Sequence, residues 1–254
     1  MIKENILKRL KTDDVQLILL EEIDSTNEYL KALAQSGACE KTVVVAERQN
    51  NGKGTKNRTF ISEKGGVYLS LLIKPSLTGF NATSITPMTA VAVSDAINQI
   101  SGKKTQIKWV NDVYLQGKKV CGILCESVMD SCGKIPYIIV GIGVNLFKPK
   151  GDFSPEIRQI ATSVFEEENT EIKEEFIAKL IDLFFFYYAD LPNKTFLQKY
   201  REKNIVIGKE IDILSSDNLQ KATALEIDDD CRLVALLPDN SKIVLSSGEV
   251  TIRL

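Results

Sequence analysis

Short apolar runs alternate with polar, glycine-bearing breaks along this chain, and the period within each run predicts the element it forms. Residues 15–20 read as a strand. They lead to Asp24-Ser25-Thr26-Asn27-Glu28, where Ser25 and Glu28 have the spacing of a capping box, so a helix is expected to about Ser36, stopped by Gly37. Residues 42–46 are a β-branched strand, residues 49–59 a polar loop and residues 67–73 a further strand. Thr86-Pro87 has the form of an N-cap followed by proline at the first helical position, which opens a helix to about Ile100. Three short strands are expected at 106–109, 119–126 and 137–145, with Gln116-Gly117 as a tight turn before the second. Phe176, Leu180, Leu183, Phe184 and Tyr187 mark one face of a long helix ending at Leu191-Pro192, and a shorter helix follows at 195–202.

From Ile205 the pattern changes to short β runs broken by polar turns, which suggests a small barrel of about 50 residues. The expected fold class is therefore α+β: a mixed sheet with flanking helices over 1–203, then a small β-barrel over 204–254.

Apolar residues make up 44% of the chain, so a sizeable core is available. With 32 basic against 34 acidic residues, the net charge of −2 supplies no global field for nucleic acid. No apolar run reaches the ~20 residues that span a bilayer, and Met1-Ile2-Lys3-Glu4-Asn5 does not read as a signal peptide. Cys39, Cys121, Cys125, Cys132 and Cys231 are scattered and odd in number. They read as reduced thiols of a cytoplasmic protein, and no zinc site is expected from them. There is no histidine at all, which excludes Ser-His-Asp and Cys-His nucleophilic sites. Chemistry here must use Lys, Arg, Asp, Glu and backbone dipoles.

Three segments could carry that chemistry. The loop from Gln49 to Phe60 contains Gly52-Lys53-Gly54-Thr55-Lys56-Asn57-Arg58, with glycines for close backbone approach and three cations that suit phosphate or carboxylate. It is not a Walker A loop, and taken alone it could be a solvated hairpin. Lys108-Trp109-Val110-Asn111-Asp112, followed by Lys119 and Gly122-Ile123-Leu124-Cys125-Glu126, could aim several polar groups at one spot or could be a hairpin with a polar turn. Gly141-Ile142-Gly143-Val144-Asn145 is weak as a dinucleotide fingerprint and reads more readily as a strand with a glycine bulge.

In their order and spacing, and preceded by Asp24-Ser25-Thr26-Asn27, these segments resemble the catalytic domain of the biotin–protein ligases (biotin–[acetyl-CoA-carboxylase] ligases). Gly248-Glu249-Val250-Thr251-Ile252-Arg253 is similar to the last strand of that family's small SH3-like C-terminal barrel. The resemblance implies ATP-dependent biotinylation of a lysine on a biotin carboxyl carrier protein, through biotinyl-5'-AMP, with ATP and Mg²⁺ as substrate complex and no tightly bound cofactor. It implies that Ser25, Thr26, Asn27 and Gln49 hold the fused rings of biotin. Gly52, Lys53, Gly54, Thr55, Lys119 and Gly122 complete the biotin site. Arg58, Phe60, Asn111 and Asn145 would serve ATP. Lys53, Arg58, Asp112 and Lys119 would be catalytic, with Asp112 also near Mg²⁺.

A chain without histidine suits this reaction, because a carboxylic acid of pKa about 4–5 attacks in its ionised form and needs no base. Four positions depart from the family's usual pattern. Thr55 and Lys53 stand where arginine is usual, Val110 where proline is, and Phe60 where a tryptophan packs on adenine. The alternatives are a lipoate–protein ligase and a non-catalytic biotin-sensing relative. Only about fourteen residues precede the first strand, so the short form, without an N-terminal DNA-binding module, is expected. No DNA partner and no membrane are expected, and the resemblance leaves room for a homodimer.

Overall fold

The computed structural model describes residues 1–75, 82–127, 135–215, 218–246 and 249–252. Seven strands form the larger sheet: β1 (Gln16–Ile23), β2 (Thr42–Gln49), β3 (Val67–Ile73), β4 (Gln106–Lys108), β5 (Asp112–Leu115), β6 (Lys118–Ser127) and β7 (Ile138–Val144). Their order is β1-β2-β3-β7-β6-β5-β4; β1 runs parallel to β2, and the remaining pairs are antiparallel. The interior strand β3 is buried along its whole length, which explains why its run is apolar but for Ser70.

Among the described residues six α-helices accompany the strands: α1 (Lys3–Arg9), α2 (Thr26–Gln35), α3 (Ile85–Ser101), α4 (Pro155–Ile160), α5 (Thr170–Ala189) and α6 (Phe196–Lys203). Helices α3 and α5 pack on one face of the sheet with the large core, into which Val43, Val45, Leu69, Leu71, Val140 and Ile142 point. Helix α2 covers part of the other face, where Leu30 and Ala34 meet Val44, Leu72 and Ile139. Asp95 of α3 accepts from the Tyr187 hydroxyl at 2.7 Å and from Lys199 at 2.8 Å, which pins α5 and α6 to α3.

Beyond α6, β8 (Glu210–Ser215), β9 (Asn218–Ile227), β10 (Leu233–Leu236), β11 (Lys242–Leu245) and β12 (Glu249–Ile252) form an antiparallel sheet in the order β11-β10-β9-β8-β12. It is tied to the larger unit by the Trp109 indole, which donates to the carbonyl of Cys231 at 3.1 Å, and by Arg201, which donates to the Ile227 carbonyl at 2.7 Å. The expected α+β architecture, a mixed sheet with helices followed by a small β unit, is the one observed.

Several local expectations are corrected. Ser25 stands at the N-cap position of α2, yet its side chain makes no capping bond. The α3 helix begins two residues earlier than proline suggested, with Ser84 rather than Thr86 at the N-cap and Thr86-Pro87 inside the first turn. Strand β5 and helices α1 and α4 were not expected; each is short, and α1 buries only Ile6. Its N-terminal turn is held instead by Glu174 of α5, whose carboxylate accepts from the Asn5 amide at 3.0 Å. Gln116 and Gly117 both have positive φ, 51° and 78°, so the expected tight turn joins β5 to β6. Residues 141–144 lie in regular strand without a bulge. Cys132, Gly248 and Arg253 lie outside the described residues.

Candidate functional site

The face of the sheet that α2 leaves uncovered carries the site, and side-chain alternation decides what faces it. Strand β3 presents Tyr68 and Ser70 there, on the same side as Leu72. Strand β7 presents Gly141 and Gly143, and β6 presents Gly122, Leu124 and Glu126 directly opposite them, in the register Gly122↔Gly143, Leu124↔Gly141 and Glu126↔Ile139. Two of these glycines are needed for close approach. A Cβ on Gly141 would lie 2.2 Å from Asn27 Oδ1, and one on Gly143 2.5 Å from the Phe60 ring. The two glycines read as a bulge signal therefore serve as seats for side chains from α2 and the basic loop.

Lys119 reaches this face through an irregularity. The β5–β6 pairing runs Asp112↔Gly122, Val113↔Cys121 and then Tyr114↔Lys119, with Val120 as the extra residue. Val120 and Cys121 are both fully buried in the core, so the bulge turns Lys119 back to the side of Gly122. Its ammonium sits 2.7 Å from Asp112 Oδ1 and 6.0 Å from the centre of the Phe60 ring. A strict alternation would have aimed Lys119 into the core.

The resulting pocket opens onto ≈ 480 Å³ of space, and its lining combines α2, the basic loop, β6 and β7. Of the residues singled out in the sequence, Ser25, Thr26, Asn27, Gln49, Lys53, Gly54, Thr55, Phe60, Asn111, Lys119 and Gly122 line it. Asp112 stands behind, against Lys119. Three others are placed elsewhere. Gly52 and Arg58 line a neighbouring depression on the far side of the loop with Glu126, and Asn145 lines a third cavity with Tyr68 and Phe147. The Asn145 backbone N–H donates to the Val120 carbonyl at 2.8 Å, which closes the strand ends behind Lys119.

The polar wall is tightly bonded. Gln49 Oε1 accepts from the Thr26 backbone N–H at 2.9 Å and lies 3.0 Å from the Thr26 hydroxyl. Gln49 Nε2 donates to Ser62 Oγ at 2.9 Å, and Ser62 donates to the Phe60 carbonyl at 2.9 Å. Asn111 donates to the Ile123 carbonyl at 2.9 Å. The basic loop folds as a small hairpin in which Lys53 pairs with Thr59 and the Phe60 N–H donates to the Gly52 carbonyl at 2.8 Å. Gly52 is confined here, because a Cβ would lie 2.3 Å from the Phe60 carbonyl oxygen. Lys53 reaches across to Glu28 of α2 at 2.6 Å. That hydrogen bond holds the Glu28 carboxyl below its ordinary value and raises the Lys53 ammonium above its own. On β6, Cys121 is a buried thiol and Cys125 a partly buried one; burial raises Cys121 and pushes Cys125 up to about 12. Neither is poised as a nucleophile.

Ser62, Ser70 and the parts played at the site by Glu28 and Glu126 went unread in the sequence. Ser70 had a signal, as the single polar residue in the otherwise apolar run of β3. Among the described residues no group of three or more Cys, Asp or Glu is placed to hold a metal ion, and no helix is long and apolar enough to cross a membrane.

The chain resembles known proteins in sequence and in fold. The profile of the "Biotin/lipoate A/B protein ligase family" matches residues 19–145, half of the chain. A relative from Bacillus subtilis, "Bifunctional ligase/repressor BirA", is 36% identical over 166 residues, 64% of this chain and 51% of its own length. The chain thus spans about half the length of the first curated relatives it matches. The "Biotin–[acetyl-CoA-carboxylase] ligase" of Mycobacterium tuberculosis is 26% identical, covering 92% of this chain and 88% of its own. Among solved structures, the biotin protein ligase from Aquifex aeolicus in complex with biotin and ATP superposes with a TM-score of 0.78 at 28% identity, over 94% of this chain and 98% of that one.

Proposed function

Because the chain belongs to the biotin/lipoate A/B protein ligase family, we propose that it joins biotin to a lysine of a biotin carboxyl carrier protein, using ATP and passing through biotinyl-5'-AMP. The observation that carries this reading is the pairing of a neutral hydrogen-bonding wall with a cation in one pocket: Thr26 and Gln49 on one side, Lys119 on the other. A cyclic urea both donates and accepts without charge, which that wall matches, whereas the dithiolane of lipoate offers no N–H donor. Relatives that bear biotin ligase names and the solved complex with biotin and ATP support the same choice.

In the first step a carboxylate oxygen of biotin attacks the α-phosphorus of ATP; the acyl–phosphate bond forms, and the bond to pyrophosphate breaks. Attacker and target are both negative, so the task of the protein is to neutralise repulsion and align the two. Lys119 supplies fixed positive charge, and Asp112 at 2.7 Å holds that ammonium in place until phosphate competes for it. Lys53 and Arg58 bring further charge from the loop. Phe60, lying over Gly143 and Gly122, offers a ring for adenine, and Asn145 borders the cavity beyond Tyr68 into which a nucleotide can extend. Mg²⁺ belongs to the substrate, Mg·ATP. Asp112 is the carboxylate nearest Lys119 and suits an ion that keeps its waters and its phosphates.

In the second step the carrier amine, of solution pKa about 10.4, must lose a proton to attack the acyl carbonyl as AMP leaves. Once Lys119 turns to phosphate, Asp112 is free to accept it. Incubation with Mg·ATP, a biotin carrier domain and either biotin or lipoate, followed by intact mass, tests the proposal. A single biotinyl addition to the carrier is expected; lipoyl addition, or none with biotin, refutes it.

A further inference from the structure

We infer that Tyr200 is a positioning residue for the reaction: from the seam between α6 and the C-terminal β unit, its hydroxyl fixes the turn that delivers Asn111 and Asp112 to the pocket. This rests on the biotin ligase reading above. Lys108 pairs with Asp112 across the β4–β5 hairpin, so Trp109, Val110 and Asn111 form its turn. The hairpin ends the larger sheet, with β4 at the edge. On the inner side β6 holds it, with Asp112 opposite Gly122. The Asn111 carbonyl accepts from the Ile123 N–H at 3.0 Å, and the Asn111 amide donates to the Ile123 carbonyl at 2.9 Å. Anchors on that one side alone would leave the turn able to rock about the β5–β6 ladder, swinging Asp112 away from Lys119.

The outer side removes that freedom through residues of α6 and the C-terminal unit. The Ile205 N–H donates to the Ile107 carbonyl at 2.9 Å. The Trp109 indole donates to the Cys231 carbonyl and the Tyr200 hydroxyl to the Val110 carbonyl, each at 3.1 Å. The Cys231 carbonyl is itself aimed by a turn folded around Asp228, whose side chain accepts from the backbone N–H groups of Asp230 at 2.9 Å and Arg232 at 2.8 Å. Tyr200 is fully buried, so its hydroxyl must find its partner inside the protein, and burial keeps its pKa well above the ordinary tyrosine range. The proton therefore stays in place, and a carbonyl only accepts, so the bond has one direction. Tyr200 does not line the pocket. It holds the Val110 carbonyl while β6 holds Asn111, and between these two grips the carboxylate of Asp112 leaves the turn 2.7 Å from the Lys119 ammonium.

The test is pyrophosphate release by the whole chain, with biotin and Mg·ATP varied separately, read beside acrylamide quenching of Trp109, the sole tryptophan. Tyr200→Phe keeps the ring and loses one donor. It should lower kcat for adenylate formation about tenfold. The KM for biotin should stay within about threefold, because Thr26 and Gln49 stand on α2 and β2. On an Asp112→Asn background the same change should cost no more than about twofold, since the group being aimed is gone. Tyr187→Phe is the matched control: it deletes another buried tyrosine's bond, to Asp95 at 2.7 Å, and should leave kcat unchanged. Trp109 is 3% exposed, so a loosened turn should raise its quenching at least about twofold in Tyr200→Phe and not in Tyr187→Phe. Should Tyr200→Phe fail to fold, Trp109→Phe, which removes the indole donor, should show the kcat loss in its place, and unchanged kcat there would overturn the inference. So would unchanged kcat in folded Tyr200→Phe, an equal loss in Tyr187→Phe, or the full loss on Asp112→Asn. A parent that releases no pyrophosphate with biotin refutes the functional reading instead. Trp109 quenching then decides the inference by itself, and equal quenching in Tyr200→Phe and the parent overturns it.

Discussion

One ion pair, Lys53 to Glu28 at 2.6 Å, ties the basic loop to the helix that carries the polar residues of the pocket, and cutting it should loosen the pocket mouth. Short as it is, the pair has side chains 47% and 44% exposed, which places it with surface salt bridges worth about 0.2–1 kcal/mol. Glu28→Gln should therefore speed escape of preformed biotinyl-adenylate by about 1.5- to 5-fold where loop opening controls release. Screening should shrink the difference between the two enzymes as salt rises from about 0.05 to 1 M, over which the Debye length falls to about 3 Å.

The pH dependence has a definite sign. The Glu28 carboxyl is lowered from 4.5, so its contribution is fully present above that value and is lost as pH falls through the depressed pKa. The Lys53 ammonium is raised from 10.5, so its share is present below that value and is lost as pH rises through the elevated pKa. Between roughly pH 5 and 10 the tie should hold constant strength, and the Glu28→Gln effect should be flat there. Thr55→Arg should act in the opposite direction, slowing escape by up to about tenfold through a charge-assisted bond. Stopped-flow dissociation of preformed adenylate measures all of these. Equal off-rates for Glu28→Gln and the parent at low salt, or a difference that salt leaves untouched, would refute the reasoning.

Lys119→Ala should abolish adenylate formation, read as pyrophosphate release, while the melting temperature falls by no more than about 2–4 °C, as for a partly exposed pair worth about 1 kcal/mol. Gly141→Ala should weaken biotin binding at least about tenfold by calorimetry, because a Cβ there meets Asn27 Oδ1 at 2.2 Å and evicts the amide from the wall. In a Cys132→Ser background at about pH 8, a thiol reagent should label Cys39 quickly and leave Cys121, Cys125 and Cys231 protected, since burial pushes Cys125 up to about 12 and Cys231 to about 11. More than one fast thiol in the folded Cys132→Ser protein would contradict the protection of these three.

Much of the architecture was legible in the residues themselves. The run 67–73 is strand β3 as bounded, Gln116-Gly117 is the tight turn, and the face marked by Phe176, Leu180 and Phe184 lies on α5. Such features rest on local physics: a period of two or of 3.6, or a backbone that needs positive φ. Residues 49–60 and 108–126 could likewise be marked as candidates for chemistry, because cations and glycines gather there, whereas Ser25, Thr26 and Asn27 entered the site only through the family resemblance. Where local signals were weak the reading failed. Helix α1 is held by Glu174 from far along the chain, and a four-residue strand such as β5 offers too few alternations to count.

Contact and direction were left to the tertiary structure. Arg58 lies within three residues of Thr55, yet the hairpin fold of the loop places it in a different depression from Thr55 and Lys119. Gly141 and Gly143 looked like a bulge, but they are flat because Asn27 and Phe60 arrive from other elements to occupy the space. The one bulge that bears on the chemistry lies opposite Val113 and Tyr114, where nothing in composition marks it. Val120 and Cys121 both gain more from burial in the core than from keeping the alternation, and their joint burial turns Lys119 toward Asp112. Side-chain direction in a strand is set by register with its neighbours, and register is a property of the assembled sheet rather than of any one segment.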